Sequence, residues 1–154
     1  MSYIDKLIEN CKIAKAALPV KEFCLDDLSE LNEIKQAIYV IEQIDGNEEE
    51  AFSDFSQYKG KKERKCAKLN APSKVMYVGS STTGVKKRIE QHRGDGHAGT
   101  YALHLKYWFK SRYKITIKQY SESKEVLQII EDDLSDKLKP AFGKQGGNNK
   151  WVYS

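Results

Sequence analysis

Residues 74–81 read Lys-Val-Met-Tyr-Val-Gly-Ser-Ser, and the rest of the chain is interpreted from this stretch. Four apolar or aromatic residues in succession, followed by glycine and serine, predict a short strand over residues 75–80 that ends in a turn. A similar run, Ala-Ile-Tyr-Val-Ile, occupies residues 37–41. Its tyrosine, Tyr39, lies 38 positions before Tyr77 (77 minus 39). The two runs predict two strands that each carry one tyrosine, the first of them over residues 35–43.

Apolar periodicity predicts the remaining elements. Residues 3–18 and 123–139 place apolar side chains at helical spacing, and Pro19 and Pro140 end these two helices. Further elements are expected as a short helix over 25–31, a helix capped by Thr82 or Thr83, an aromatic helix over 101–109 and an alternating strand over 114–120.

The order of these elements predicts the fold class. Residues 1–34 are expected to be an N-terminal helical extension, and the order β-β-α-α-β-α follows it. Few strands with helices after them indicate an α+β fold, in which a small three-stranded antiparallel sheet is flanked by helices. A length of 154 residues fits a single domain over residues 1–154.

Residues 45–73 separate the two tyrosine strands and form an insertion. Its acidic first half contains Glu48 to Glu50, and its second half is rich in lysine. Phe52, Phe55 and Tyr58 recur at every third position, which predicts a helix with an aromatic edge resting on the domain. We interpret the segment as a solvated insertion, in preference to a basic arm that contacts nucleic acid.

The positive charge of the chain is concentrated in one block. The formal net charge is +4, yet residues 84–118 contain nine Lys and Arg residues against two acids, which gives +7. A concentrated basic block is typical of a polyanion partner, although solvated lysine-rich faces are equally common. The predicted nucleic-acid contacts are Lys86, Lys87, Arg93, Lys106, Lys110, Arg112 and, in the C-terminal loop, Asn148.

The sequence also predicts where the protein resides. No run approaches 18 apolar residues, so no membrane span is expected, and residues 1–5 do not begin a signal peptide. The three cysteines show neither a metal-binding spacing nor a disulfide framework, and we expect them to be small buried side chains. Reduced thiols of this kind favour a cytoplasmic protein.

One acid lies on the apolar side of the helix over 123–139. With about 100° per residue and Leu127 at 0°, the apolar residues Ile130, Leu134 and Leu138 fall within about 60° of Leu127, and Glu131 falls at about 40°. An inward carboxylate is costly unless it is paired or binds a cation. The sequence leaves two alternatives, a buried salt bridge to an arginine or a metal site.

Arg88 and His92 are four residues apart and therefore project from one helix face. The planar arginine fork suits a phosphate, and the histidine is able to move a proton or hold a phosphate. The alternative is an exposed pair on an amphipathic helix. The glycines at 79 and 84 have the spacing of a phosphate-binding loop, but Val85 and Lys86 stand where that loop needs Lys and Ser or Thr. This departure excludes a nucleotide hydrolase of that class.

Taken in order, these segments resemble the GIY-YIG nuclease superfamily over about residues 35–148. The matching residues are Ala37-Ile38-Tyr39, Tyr77-Val78-Gly79, Arg88 with His92, Glu131, and Lys139-Pro140-Ala141-Phe142. The resemblance implies hydrolysis of a DNA phosphodiester with one divalent ion, Mg²⁺ or Mn²⁺. Tyr39 and Tyr77 would line the site, one of them orienting or deprotonating the attacking water. Arg88 would clamp the phosphate, His92 would transfer a proton or contact the phosphate, and Glu131 would be the only protein carboxylate on the metal.

The chain departs from the pattern of that superfamily at three places. Ala37 replaces the first glycine of the family name, and residues 45–73 replace a short turn. Gly143 stands where an asparagine is common, and Asn148 or Asn149 would substitute for it. Two alternatives are a nucleic-acid-binding module on the same fold that does not cleave, and a small cytoplasmic scaffold. We expect a chain of this length to have no room for a separate target-recognition domain, so target choice is expected to come from the insertion, the N-terminal helix, a protein partner or a homodimer.

Overall fold

A four-stranded antiparallel sheet in the order β1-β4-β2-β3 is the framework of the computed structural model, which describes residues 1–144. The strands are β1 (Lys21–Cys24), β2 (Ala37–Gln43), β3 (Val75–Ser81) and β4 (Tyr113–Gln119). The helices are α1 (Tyr3–Ala16), α2 (Glu48–Gly60), α3 (Val85–Arg93) and α4 (Lys124–Leu138). Two short 3₁₀ helices span Leu28–Leu31 and Leu105–Tyr107. No helix among residues 1–144 combines the length and the apolar character that crossing a bilayer requires.

The sheet is covered on both faces, which explains the continuous apolar run in β2. Tyr39 and Ile41 point into a large core that includes Phe55 of α2 and Ile89 of α3. The alternate residues of β2 point into a second core beneath Leu127 of α4. Because successive side chains of a strand face opposite sides, a strand buried on both faces needs an apolar residue at nearly every position.

The α+β class and the antiparallel sheet flanked by helices are confirmed, but the predicted count of three strands is wrong. The additional strand, β1, pairs with β4 and places Phe23 opposite Ile117. Residues 1–34 are therefore not wholly helical. The strand escaped prediction because it is four residues long, and Phe23 is its only residue that is not exposed. The helix expected over 25–31 is a 3₁₀ turn, which the carboxylate of Asp27 caps by accepting from Ser29 N–H.

Two further expectations are corrected by local hydrogen bonds. The aromatic segment 101–109 contains only the short 3₁₀ helix, since His104 adopts a left-handed backbone with φ 52°. Neither Thr82 nor Thr83 caps α3. Its N-cap is Gly84, whose N–H donates to the hydroxyl of Ser81 at 3.1 Å.

The segment over residues 45–73 contributes to the core through one edge of α2 and through Cys66 and Ala67. The aromatic edge of α2 is confirmed, and Phe55 packs at 4.7 Å from the ring of Trp108 and 4.4 Å from that of Phe142. The acidic first turn of α2, Glu48 to Glu50, is exposed, so α2 combines a buried aromatic edge with a solvated face. Of the three cysteines, only Cys66 is buried, whereas Cys11 and Cys24 are exposed.

Candidate active site

Four residues predicted from the sequence line one cleft of about 170 Å³ along β3. Tyr39 comes from β2, Tyr77 from β3, Arg88 from α3 and Glu131 from α4. The segment Ala141–Phe142 pairs with β3 only as far as Met76, since its amides donate to the carbonyls of Val75 and Met76. The cleft begins directly after that pairing ends.

The register of the sheet brings the two tyrosines together. Tyr39 lies opposite Gly79, and Tyr77 lies opposite Ile41, so both tyrosine rings project from the same face of the sheet. Their rings are nearly parallel, with an interplanar angle of 5° and centroids 6.2 Å apart. This arrangement depends on Gly79, because a Cβ atom there would lie 2.5 Å from Tyr39 Oη and 2.8 Å from Tyr77 Cε1. The glycine of the strand motif is thus required by close approach of the rings.

His92 lies behind the tyrosines and does not line the cleft. It is fully buried, and its ring centroid is 4.2 Å from that of Tyr77. The N–H of Leu103 donates to His92 Nδ1 at 3.2 Å, and His92 Nε2 lies 3.1 Å from Tyr39 Oη. Burial, and secondly the charge of Arg88, lower the pKa of His92 well below its usual value, so the ring is neutral at pH 7.

The hydrogen bonds of His92 fix its tautomer. Because Nδ1 accepts from a backbone N–H, the single proton of the neutral ring is on Nε2, and that N–H donates to Tyr39 Oη. The hydroxyl proton of Tyr39 is then free to be donated toward the cleft. Burial raises the pKa of Tyr39, and burial also raises the pKa of Tyr77. Both side chains are therefore protonated hydroxyl donors at neutral pH.

Arg88 is a half-buried cation without an acidic partner in the described part of the chain. Its guanidinium donates to Gln91 Oε1 at 2.9 Å and to Tyr77 Oη at 3.3 Å. Neither acceptor carries a charge, so the positive charge of Arg88 is oriented by two neutral groups and remains available to an anion in the cleft.

Glu131 is a half-buried carboxylate in the same cleft, and its side chain forms no ion pair within residues 1–144. The amide of Gln128 donates to Glu131 Oε2 at 3.1 Å. Burial raises the pKa of Glu131, while hydrogen bonds from Ser80 and Gln128 oppose the rise. The buried salt bridge to an arginine, one of the two alternatives for this acid, is therefore not formed.

The donors at Glu131 suit a hard divalent cation. The carboxylate and the hydroxyl of Ser80 are oxygen donors, which Mg²⁺ and Mn²⁺ prefer. No group of three or more His, Cys, Asp and Glu side chains gathers anywhere in residues 1–144. A cation at Glu131 would therefore have one protein carboxylate and retain most of its water ligands, as Mg²⁺ commonly does.

Three polar residues of the cleft, Ser80, Tyr101 and Lys144, were missed as site residues by the sequence analysis. Tyr101 and Lys144 both line the cleft, with Lys144 Nζ at 5.2 Å from the Tyr101 ring centroid. Tyr101 is held by the N–H of Lys68, which donates to its hydroxyl at 2.8 Å. Lys144 had no motif around it, and only the path of the C-terminal segment past β3 brings it to the cleft.

The predicted basic contacts do not line the cleft. Lys86 donates to Asn32 at 3.1 Å, and Lys106 and Arg112 form ion pairs at 2.9 Å with Asp95 and Asp45. The cleft lining likewise includes none of the other three described basic residues, Lys87, Arg93 and Lys110. Asn148 and Asn149 lie outside the described residues.

The local structure explains why residue 143 is a glycine. Its φ is +104°, and a Cβ atom there would lie 2.8 Å from Tyr77 Cε2. Any side chain would therefore strain the backbone and press on the Tyr77 ring. Asn70 braces this loop instead, since its amide donates to the carbonyls of Pro140 and Gly143 at 3.1 and 2.9 Å.

Comparisons of the chain with models of protein families, with curated proteins and with solved structures found no match.

Proposed function

We propose that this protein is a divalent-metal-dependent endonuclease that hydrolyses DNA phosphodiester bonds. The observation that carries the proposal is the pair of half-buried charges in one cleft, Arg88 and Glu131, neither of which forms an ion pair within residues 1–144. A desolvated charge without a partner is costly. A phosphodiester anion would compensate Arg88, and a divalent cation would compensate Glu131, so a single substrate complex satisfies both.

The basic side chains of the cleft would hold the phosphate. Arg88 presents a fork of N–H donors oriented by Gln91 and Tyr77, and Lys144 adds a second positive charge. Charge on the non-bridging oxygens grows as the phosphorus is attacked, and donors fixed before the reaction stabilise that charge without reorganisation. Arg88 is therefore assigned to the stabilisation of the transition state.

The buried side of the cleft would orient the attacking water. Tyr39 accepts a hydrogen bond from His92 Nε2–H, so its own O–H is free to donate to a water or a phosphate in the cleft. A neutral His92 acts through Tyr39, because its ring has no exposed surface for a phosphate. Glu131 and Ser80 would hold the divalent cation, which when bound polarises the phosphate and lowers the pKa of coordinated water.

A supercoiled-plasmid assay with Mg²⁺, and with EDTA as the metal-free control, tests the proposal. Nicking or linearisation is expected for the unmodified chain and is expected to be lost in Glu131→Gln. The matched control is Asp133→Asn, because Asp133 is an exposed acid on the same helix, and within residues 1–144 it pairs with Lys137 alone, at 2.9 Å. Full cleavage by Glu131→Gln would refute the metal assignment.

A binding measurement separates the enzyme from the alternative of a module that does not cleave. Fluorescence anisotropy with labelled duplex DNA in EDTA reports binding in the absence of chemistry. Binding that weakens with salt, combined with no cleavage under any divalent ion, would identify a binding module. Absence of binding even at low salt would refute both functions and favour a scaffold.

A further inference from the structure

Helix α1 exposes an apolar stripe that the fold does not cover. None of its 14 residues is buried, although the helix packs on α4. On a wheel of about 100° per residue, Ile4, Leu7, Ile8 and Cys11 lie within an arc of about 100°. The exposed fractions of the side chains at its apolar N-terminal end are 79% for Tyr3, 66% for Ile4, 43% for Leu7 and 49% for Ile8.

The helix is nevertheless fixed at its start. Ser2 Oγ accepts from Asp5 N–H at 3.1 Å, and Asp5 Oδ2 accepts from Ser2 N–H at 3.3 Å, which completes a capping box. An isolated helix of this length is marginal in water, and helices in proteins derive most of their stability from burial of an apolar face. A capped helix that leaves its apolar stripe exposed is therefore expected to bury that stripe against another surface.

The size of the stripe matches one half of a protein interface. With about 200 Å² for a large, fully exposed side chain, Tyr3, Ile4, Leu7 and Ile8 expose roughly 500 Å² together. An interface of standard size buries about 800 Å² on each partner, and somewhat more than half of that area is apolar. The groove between α1 and α4, about 580 Å³ and lined by Leu7 and Ile129, offers further space for side chains of a partner.

The charges beside the stripe are complementary to those of a second copy. On the same wheel, Asp5 and Lys12 lie on one flank of the stripe, about 110° and 90° from its centre, with Asp5 in the first half of α1 and Lys12 in the second half. Glu9 lies about 150° from that centre, near Ile13, and Lys6 lies on the other side of the helix, in the groove next to α4. If two copies pack their α1 helices antiparallel around a two-fold axis, Asp5 of each copy faces Lys12 of the other. A parallel pair would bring like charges together.

We propose that α1 is a homodimer interface, in which two copies pack their stripes antiparallel around a two-fold axis. Acids and lysines occur on α1 in nearly equal number, which favours a protein partner over an anionic membrane surface, because amphipathic helices that bind such membranes are rich in Lys and Arg. An isologous contact needs one surface that is complementary to itself, and α1 meets that condition in both its apolar stripe and its charges. The proposal does not depend on the proposed nuclease activity.

Sedimentation equilibrium of the full chain, up to about 100 µM, tests the oligomeric state, because dimerisation follows protomer concentration. The expected mass is twice the 17.6 kDa of one chain. Ile8→Glu is expected to weaken dimerisation by at least about 30-fold, the effect of losing an interface hot spot. Ile13→Glu is the matched control, because Ile13 is 40% exposed on the same helix but lies about 140° around it from Ile8.

Both variants are expected to keep the far-ultraviolet circular dichroism of the unmodified chain, and its Tm at concentrations at which all three chains are monomeric, since neither side chain is buried in the protomer. A monomer at the highest concentration, or equal loss of dimer in Ile8→Glu and Ile13→Glu, would overturn the proposal.

Charge reversal tests the antiparallel arrangement. Lys12→Glu is expected to weaken the dimer, because it places an acid opposite Asp5 of the second copy. Glu9→Lys is the matched control, because Glu9 lies on the face of α1 opposite the stripe, and it is expected to leave the dimer unchanged. A Lys12→Glu variant that dimerises as strongly as the unmodified chain would overturn the antiparallel arrangement. As an independent readout, exposed Cys11 is expected to react with iodoacetamide more slowly at high than at low protein concentration, whereas exposed Cys24 reacts at the same rate.

Discussion

Substitution of Gly79 by alanine is the sharpest perturbation of the candidate site, because it adds one methyl group between the two tyrosines. Gly79 lies in β3 opposite Tyr39, and its missing side chain leaves room for both tyrosine rings. The added Cβ atom would lie 2.5 Å from Tyr39 Oη and 2.7 Å from Tyr39 Cζ. It would also lie 2.8 Å from Tyr77 Cε1, so two aromatic side chains are affected by the same methyl group.

The size of the effect follows from these distances. Ordinary contact begins at 3.4 Å, so Tyr39 Oη must move by 3.4 − 2.5, about 0.9 Å. Tyr39 has little freedom to move, since it is 1% exposed, stacked on Tyr77 and hydrogen-bonded to His92 at 3.1 Å. Overpacking of this kind costs about 1–3 kcal/mol. At about 2–4 °C for each kcal/mol in a chain of this size, the Tm is expected to fall by about 2–12 °C.

The cleavage rate is expected to fall more steeply than the stability, because a misplacement of about 1 Å costs about 100-fold in rate. Differential scanning calorimetry and the plasmid assay measure the two effects separately. Gly60→Ala is the matched control, since a Cβ atom at Gly60 meets nothing within 4 Å and alanine favours the helix that ends there. A Gly79→Ala variant with the Tm and rate of the unmodified chain would refute this account of the glycine.

Three further substitutions test the charges and hydrogen bonds of the cleft. Burial raises the pKa of Glu131 in the folded protein. The stability that Glu131 contributes is therefore fully present below its ordinary pKa of 4.5, and it is lost as the pH rises through the higher pKa that Glu131 has in the folded protein. Glu131→Gln is therefore expected to have a higher Tm than the unmodified chain at pH 7 but not at pH 4, and an equal difference at both would contradict the reasoning. Arg88→Ala is expected to slow cleavage by about 10²–10³-fold in single-turnover assays, with partial rescue in Arg88→Lys, which keeps the charge but loses the fork. Tyr39→Phe leaves the buried His92 Nε2–H without its acceptor. This variant is expected to lower the free energy of unfolding by about 1–3 kcal/mol in urea titrations. Tyr113→Phe serves as the neutral control, because the hydroxyl of Tyr113 has no hydrogen bond within residues 1–144.

The elements that carry the candidate site were predictable because their patterns are strong and local. The apolar runs around Tyr39 and Tyr77 are long enough to identify strands, and α4 shows a clear helical period. Glu131 stood out because it breaks that period, and the structure places it in the cleft as a half-buried acid. A residue that conflicts with its own local pattern is visible in the sequence even when its partners are not.

The parts that could not be predicted depend on contacts between distant segments. Strand β1 forms because it pairs with β4, where Phe23 lies opposite Ile117. A segment of four residues is too short to show the alternation of apolar and polar residues that identifies a strand in a sequence. Lys144 reaches the cleft because residues 141–142 hydrogen-bond to the edge of β3. No local sequence pattern predicts this pairing. The charge count of the basic block also depends on the fold, because it leaves out acids outside the block that lie close to it only in the structure, such as Asp45 beside Arg112.

The buried and open sides of the cleft impose different requirements on the sequence. On the buried side, Tyr39, Tyr77 and His92 are packed so closely that Gly79 has no substitute of similar size. On the open side, Arg88 donates to Gln91 and Tyr77, and Glu131 accepts from the side-chain amide of Gln128. A change on the buried side therefore alters both stability and any activity, because packing defines the position of the hydroxyl group. A change on the open side is expected to affect catalysis while leaving the fold intact or, at Glu131, more stable. The structure thus predicts that substitutions around one small cleft separate into two classes by their effect on Tm alone, before any nuclease activity is measured.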